Sequence, residues 1–431
     1  MVKAPPARTA PTSLRRVVIS SFAGTSIEWY DFFLFGSAAA LVFPSVFFPD
    51  SDPGTGLLLS FMTYGVAFVV RPLGGILFGR LGDAIGRKNV LVSTLLLMGI
   101  GTFLIGCVPG YDQIGIWATV ILVLLRIVQG LGLGGEWGGA ATLSAEHADG
   151  AGRANSRGLL ASWMQLGVPA GNLLAVGAIF VMQAILPEEA FLAWGWRVPF
   201  LASAVLIVIG FWIRAAVQES PLFTVEERDA TPLRSMLRSH WPQVLLTIGL
   251  RIASDVSYYV FAVFALSYIA NTLELPSSVG LTGVIVGCLL QFLVIPVSAH
   301  LSDRVGRRPV YIAGAVAVGV WAFIAWPLIG TGEPALAVTA IAIGIAAQGI
   351  MYGPMAAFIT EMFPTRVRTT GAGFGYQVAG IVGGALAPFV AQLLTQAFDS
   401  TFSVSVYVAI TAVIAVVASL LARETTRKEL A

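Results

Sequence analysis

The sequence predicts an all-α membrane protein with twelve transmembrane helices in two six-helix halves. Three observations carry that prediction: an apolar composition, hydrophobic runs of spanning length, and landmarks that repeat at a nearly constant offset. Of 431 residues, 57% are hydrophobic and only 11% charged, whereas soluble domains carry about a quarter charged residues. The mean hydropathy is +0.84. Water solvates such a surface poorly, and disorder requires the opposite composition. A net charge of +2 with dispersed basic residues excludes a nucleic-acid binder. Cys107 and Cys288 both lie in apolar runs, so they supply neither a disulfide framework nor a zinc-ligand spacing. The 47 glycines and 22 prolines, damaging in soluble helices, are tolerated in membrane ones.

A spanning helix needs about 20 mostly apolar residues. Runs of that kind cover 17–44, 57–79, 90–109, 115–145, 158–186, 197–217, 243–270, 279–301, 310–330, 335–360, 370–397 and 401–422. The chain accordingly divides into a tail (1–16), a first bundle (17–217), a linker (218–242), a second bundle (243–422) and a second tail (423–431). Lys3, Arg8, Arg15 and Arg16 resemble the start of a leader, but the run behind them is long and contains Glu28 and Asp31, which reads as an uncleaved first helix. The N-terminus, every second connection and the C-terminus hold 21 of the 25 Lys and Arg residues, while Asp50, Asp52, Asp112, Glu188, Glu189, Glu274, Glu333 and Asp399 fall on the other side. This bias predicts that both termini are cytoplasmic. The two sides are called the basic face and the acidic face below.

The halves repeat. Asp83-Ala-Ile-Gly86-Arg87-Lys88 follows the second run and Asp303-Arg-Val-Gly306-Arg307-Arg308 the eighth, an offset of 220. Gln129-Gly130 and Gln348-Gly349 are 219 apart, and Glu146 and Glu361 are 215 apart. Such pairing predicts duplicated bundles with a site between them near the membrane midplane.

The two D-x-x-G-R-[KR] turns and Arg126-Ile-Val-Gln129-Gly130 resemble motifs of the major facilitator superfamily. Glu28-Trp29-Tyr30-Asp31-Phe32, Arg71-Pro72-Leu73-Gly74-Gly75, Gly134-Gly135-Glu136-Trp137-Gly138-Gly139 and Trp194-Gly195-Trp196-Arg197-Val198-Pro199-Phe200 resemble its metabolite:proton symporter branch. That branch includes shikimate, α-ketoglutarate, citrate and proline/betaine permeases. The segment Arg251–Tyr268 and the stretch Gly371–Gln377 are most similar to shikimate permeases. The helix-five segment Gly167-Val-Pro169-Ala-Gly171 lacks the Gly-Pro pair of antiporters, which favours symport. The resemblance implies a monomeric transporter of a bacterial-type plasma membrane, with helices 1, 4, 7 and 10 around a central cavity. Its substrate is expected to be a small organic acid such as shikimate or a dicarboxylate, imported with a proton. A zwitterion of the proline or betaine type is the alternative. No cofactor is expected, the proton gradient being the energy source.

An ionisable group inside hydrocarbon costs roughly 2.5–3.5 kcal/mol on insertion scales, so each one calls for a partner or a function. Helix one carries Glu28 and Asp31, helix two Arg71, helix four Arg126 and Glu136, and helix seven Arg251 and Asp255. Four carboxylates against three guanidiniums become neutral on binding one proton. Asp31, Glu28, Glu136 and Asp255 are therefore proton-coupling candidates, the alternative being a set of structural bridges between helices. His147, His240 and His300 lie near helix ends and are poor carriers. Arginine grips a carboxylate with two parallel bonds, so Arg126 and Arg251, one in each half, are read as a clamp for an organic anion. Gln129, Tyr258, Tyr259, Gln348, Tyr352 and Arg71 are further substrate-binding candidates, set at helical spacing on the cavity helices or in helix two. Glycines in helices four and five permit close helix approach.

Asp83 and Asp303 are placed where a carboxylate can accept bonds from a neighbouring helix N-terminus. Arg87, Lys88, Arg307 and Arg308 are expected to pair across the seam between halves, and Arg197 to form part of an outer gate or an anchor. No H-E-x-x-H, G-x-S-x-G or phosphate-binding G-x-x-x-x-G-K-[ST] pattern occurs, which argues against a membrane enzyme and against ATP-driven transport.

Overall fold

The computed structural model describes residues 14–85, 87–134, 156–215 and 238–426, apart from the side chains of 14–21, 79–80, 82–85, 87–91, 213–215 and 365–366. Twelve long helices account for most of this chain: α1 (Leu14–Leu41), α2 (Pro53–Ile85), α3 (Arg87–Cys107), α4 (described over Ile116–Leu133), α5 (Arg157–Ile185), α6 (Arg197–Ala215), α7 (Trp241–Thr272), α8 (Ser277–Val305), α9 (Arg307–Gly330), α10 (Pro334–Glu361), α11 (Val367–Phe398) and α12 (Phe402–Leu421). Among the described residues, nine are long and apolar enough to cross a bilayer by themselves, and α6 makes a tenth with the preceding Glu188–Gly195, from which it bends by 45°.

Local chemistry sets several of the helix ends. Asp52 precedes Pro53, and its carboxylate accepts the Thr55 N–H at 2.9 Å, so an N-cap acid and a first-turn proline open α2 together. Helices α2 and α8 outrun their hydrophobic runs at the basic face, ending at Ile85 and Val305 rather than near 79 and 301. Backbone hydrogen bonding continues into water after the apolar side chains stop, which hydropathy alone does not register. Between α8 and α9 the chain turns at Gly306, with φ of +112°, a conformation that L side chains rarely adopt. The glycine of the D-x-x-G-R-[KR] turn is therefore a backbone requirement.

The packing repeats as the sequence does. In the first half α1 packs on α5, α2 on α4 and α3 on α6; in the second, α7 packs on α11, α8 on α10 and α9 on α12. Between halves α2 lies against α11 and α5 against α8, one contact being the image of the other, while α1 meets α7 at the centre. In α7, 94% of the spanning window is buried, against 39–56% for the other spans, so α7 is an internal element and its polar stripe does not face lipid. Beyond Tyr259 it widens into π-turns at Val260–Phe264 and Tyr268–Thr272, and α11 does so at Ile381–Ala385, a local geometry common at functional sites.

Backbone contact fixes the α2–α4 pair. A Cβ on Gly74 would sit 2.1 Å from the Leu131 carbonyl oxygen, and one on Gly134 would sit 2.0 Å from that of Arg71. Neither neighbour is a side chain that can swing away. Forcing methyl groups into packed interiors costs about 1–3 kcal/mol or more, so Gly74→Ala is expected to lower the melting temperature in detergent clearly. Gly177→Ala, where a Cβ would meet nothing within 4 Å, is expected to leave it unchanged.

Candidate functional site

At the centre of the molecule, helices from both halves converge on a small cavity. Its walls are Trp29 and Phe33 of α1, Val168 of α5, Asp255, Tyr258 and Tyr259 of α7, Gln348 and Tyr352 of α10, and Tyr376 of α11. The volume is about 10 Å³, room for roughly one water. A metabolite enters only if the walls part. Aromatic rings form the seam at this level: Phe33 lies 5.4 Å from Tyr258, and Phe68 meets Tyr259 edge-on at 5.6 Å. A hydrogen bond crosses from half to half beside them, from Asn172 Nδ2 on α5 to the Tyr258 hydroxyl at 2.9 Å, and Cys288 Sγ lies 3.8 Å from that oxygen. Gln348 is fixed by a bond from Gln291 and by its own bond to Ser254, both 2.7 Å.

The three membrane arginines stand one layer behind these walls and differ in how their donors are used. Arg71 is enclosed by ring faces, 4.2 Å from the Phe68 centroid, 4.4 Å from Phe32 and 5.7 Å from Trp29. A desolvated cation–π contact contributes about 2 kcal/mol, so two or three rings offset an insertion cost of about 2.5–3.5 kcal/mol. They do so through the faces of the guanidinium. Its edge is left over: Nε and Nη2 of Arg71 have no hydrogen-bond partner. Arg126 is more committed, donating to Gln129 Oε1 at 2.9 Å and to the Tyr64 carbonyl at 3.0 Å, with Phe35 3.9 Å from its centre. Arg251 lies with Nε 2.9 Å from one Asp255 oxygen and hydrogen-bonds the other at 3.2 Å, donates to the Tyr376 carbonyl, and keeps Nη2 unpartnered.

This arrangement corrects the expected Arg126–Arg251 clamp. Neither arginine lines the cavity, and two of the Arg126 nitrogens are already taken, Nη1 by Gln129 on its own helix and Nη2 by the Tyr64 carbonyl of α2. Arg71 is the guanidinium with an unused edge. Gln129 likewise faces away from the cavity, donating to Thr102 on α3 at 2.7 Å. Glu28 and Asp31 are buried on α1, and Asp31 Oδ1 has no hydrogen-bond partner. Glu136 lies outside the described residues, as do the side chains of Asp83, Arg87 and Lys88.

Both ends of the seam are shut. At the acidic face Asn271 donates to the Ala40 carbonyl at 3.2 Å and Ser277 to Gln183 at 2.9 Å. At the basic face the two Asp303 oxygens accept the backbone N–H groups of Gly158 and Leu159, each at 2.9 Å, at the start of α5. Arg307 holds Asp303 at 2.6 Å and Glu361 at 3.0 Å, and Glu361 faces Arg157 of the first half at 4.0 Å. One more expectation is corrected: Arg308 caps the α12 carbonyls of Ser419 and Leu420 inside its own half, since its position beyond the turn points it away from the seam. Arg197, expected as part of a gate or as an anchor, donates to the Val108 carbonyl at 2.5 Å and so ties α6 to the end of α3.

The chain after α12 completes this end. Partial burial disfavours the charge of Glu424, but bonds from the Thr426 hydroxyl and the backbone N–H groups of Arg307, Arg308 and Thr426 outweigh it and hold its carboxyl at about 2. Asn172, Thr102, Tyr64, Phe33 and Phe68 were not singled out by sequence. A lone Asn or Thr inside an apolar helix is the signal that marks the first two.

Arg126→Lys is expected to lower substrate uptake at least about tenfold, because an ammonium cannot reach Gln129 and Tyr64 together and each bond to a charged group is worth about 1.5–3 kcal/mol. Uptake kinetics in proteoliposomes measure this, and unaltered affinity and rate remove Arg126 from the transport machinery. A depressed carboxyl stabilises the fold above its ordinary value and loses that contribution as pH falls through the depressed one. Melting of the parent is therefore expected to weaken between about pH 5 and pH 2, and Glu424→Gln to lower the melting temperature at pH 7 and flatten that dependence.

Comparisons with known proteins agree with this geometry. The family model described as "Sugar (and other) transporter" matches residues 17–240 and 226–431. The inner membrane metabolite transport protein YhjE of Escherichia coli K12 is 39% identical, with 98% of this chain and 97% of that protein covered. The shikimate transporter of the same organism is 39% identical over 96% of this chain and 95% of its own length, and the proline/betaine transporter of Salmonella typhimurium 33% over 97% and 85%. The crystal structure of a D-xylose-proton symporter superposes with a TM-score of 0.73 at 18% identity, covering 97% of this chain and 100% of the other. The chain is a multi-pass membrane transporter, not an enzyme, and belongs to the sugar (and other) transporter family of the major facilitator superfamily.

Proposed function

We propose that the protein is a proton-coupled symporter that imports a small carboxylated metabolite across a bacterial-type plasma membrane, with both termini in the cytoplasm. The observation that supports it best is the Arg71 edge: a buried guanidinium, stabilised through its faces and unused at its rim, suits a carboxylate gripped by two parallel bonds. The names of the shikimate and proline/betaine relatives support an acid-bearing solute. A single chain supplies both sides of the site, and no cofactor enters the scheme.

In this reading the seam opens first at the acidic face, where Asn271 and Ser277 release. The solute parts Trp29 and Phe33 from Tyr258 and Tyr259 and presents its carboxylate to Arg71 and to the unpartnered Nη2 of Arg251. Asp255 and the solute then compete for one guanidinium. Asp31 is the proton carrier, since a buried carboxylate without an ion-pair partner among the described residues is the charge that a proton relieves most. With the charges balanced the acidic face closes, the Asp303 bonds to α5 part, and solute and proton leave on the cytoplasmic side.

A second reading, a zwitterion of the betaine or proline type, is favoured by one feature. Asp255 among Trp29, Tyr258, Tyr259, Tyr352 and Tyr376 makes an aromatic enclosure with one acid, which suits an alkylated ammonium.

Asp31→Asn is expected to abolish accumulation against a gradient while leaving counterflow exchange within about twofold. If neither changes, Asp31 is not the carrier. Uptake of shikimate, α-ketoglutarate, citrate and betaine into proteoliposomes, with external alkalinisation recorded, decides between the readings: proton-linked uptake of a carboxylate without a betaine response supports the first.

A further inference from the structure

Thr102 on α3 has no place on the cavity wall, yet it is fully buried between three groups that matter for coupling. Its Oγ1 accepts a bond from Gln129 Nε2 at 2.7 Å, and Gln129 Oε1 in turn accepts from Arg126 Nη1 at 2.9 Å. Its single proton points to the Met98 carbonyl at 3.1 Å, and the Asp31 carboxyl, not hydrogen-bonded to it in this structure, stands nearby as an alternative acceptor. A space is kept for this chain: a Cβ on Gly101 would approach Gln129 Cγ to 2.9 Å, so only glycine lets the glutamine side chain lie along α3. At the two ends stand unsatisfied buried atoms, Asp31 Oδ1 and Arg126 Nε.

We infer that Thr102 is a positioning residue for proton coupling, a hydroxyl switch that reports the protonation of Asp31 to Arg126 through Gln129. The inference rests on the reading of Asp31 as carrier. A hydroxyl has one proton and a free rotor. With Asp31 ionised, Oγ1–H turns to the carboxylate, the stronger acceptor. With Asp31 protonated, that interaction is lost, Oγ1–H returns to the Met98 carbonyl, and the lone pair offered to Gln129 changes direction. The amide shifts with it, and so does the guanidinium that joins α4 to the Tyr64 carbonyl of α2. Around Asp31 the charged and titratable groups are Arg126 on α4, Glu28 and Tyr30 on its own helix, and Arg71 on α2 behind Phe32. None of these is on α3.

The test uses the full-length protein in proteoliposomes with Thr102→Val, which keeps the shape and removes the hydroxyl, and Thr102→Ser, which keeps the hydroxyl. Thr102→Val is expected to displace the pH profile of gradient-driven uptake by about one unit toward alkaline pH, because the ionised carboxylate loses a donor, and to reduce accumulation about tenfold with counterflow near the parent level. Thr102→Ser restores both. A Thr102→Val profile that superimposes on the parent, or a Thr102→Ser variant as impaired as Thr102→Val, overturns the switch. The single variant Asp31→Asn, measured beside Thr102→Val, separates the two ideas. If Asp31→Asn alone keeps full accumulation, the carrier reading fails. If it abolishes accumulation while Thr102→Val keeps the parent profile, only the Thr102 inference fails.

Discussion

A charge in a membrane interior must be compensated within reach, and here the strong compensation stays within a half. Arg71 and Arg126 are enclosed by rings and acceptors of α1, α2 and α4, and Arg251 by Asp255 and Tyr376 of the second half. Backbone contact at Gly74 and Gly134 adds rigidity to the first bundle. What crosses the centre of the seam is weaker and neutral: Asn172 to Tyr258, Gln165 to the Tyr352 carbonyl, and Gln377 to the Gly134 carbonyl. Such bonds contribute only about 0.5–1.5 kcal/mol each. Two stiff bodies joined by a soft seam can rock without breaking their own charge networks.

The two ends of the seam differ in kind. Neutral bonds close the acidic face, whereas carboxylate bonds to α5 and the Glu361–Arg157 approach close the basic one. Bonds to an ionised acceptor are worth roughly twice neutral ones. Opening toward the acidic face is therefore the less costly excursion.

Much of this was legible in the sequence because its physics is one-dimensional. Hydropathy placed the helices within a few residues, and the repeated D-x-x-G-R-[KR] turn showed the duplication that the α2–α11 and α5–α8 contacts display. Helical spacing brought Asp255, Tyr258, Tyr259, Gln348 and Tyr352 to one cavity. Spacing is silent about what lies opposite a side chain. It could not show that the Tyr64 carbonyl occupies Arg126, that Arg71 lies between rings, or that Arg308 and Arg197 point back into their own halves. Those outcomes depend on which neighbour each long side chain meets after the helices have packed.

The Asp303 bonds have one more consequence. Their donors are main-chain N–H groups of residues 158 and 159, which every amino acid except proline possesses. Substitutions along that part of α5 thus have little chance to tune the latch chemically. They act by bulk alone, and most sharply at Gly158, where a Cβ would come within 2.3 Å of an Arg307 nitrogen. Evolution of the inner closure is for that reason expected to be one-sided, with drift tolerated on the donor helix and the acid held fixed.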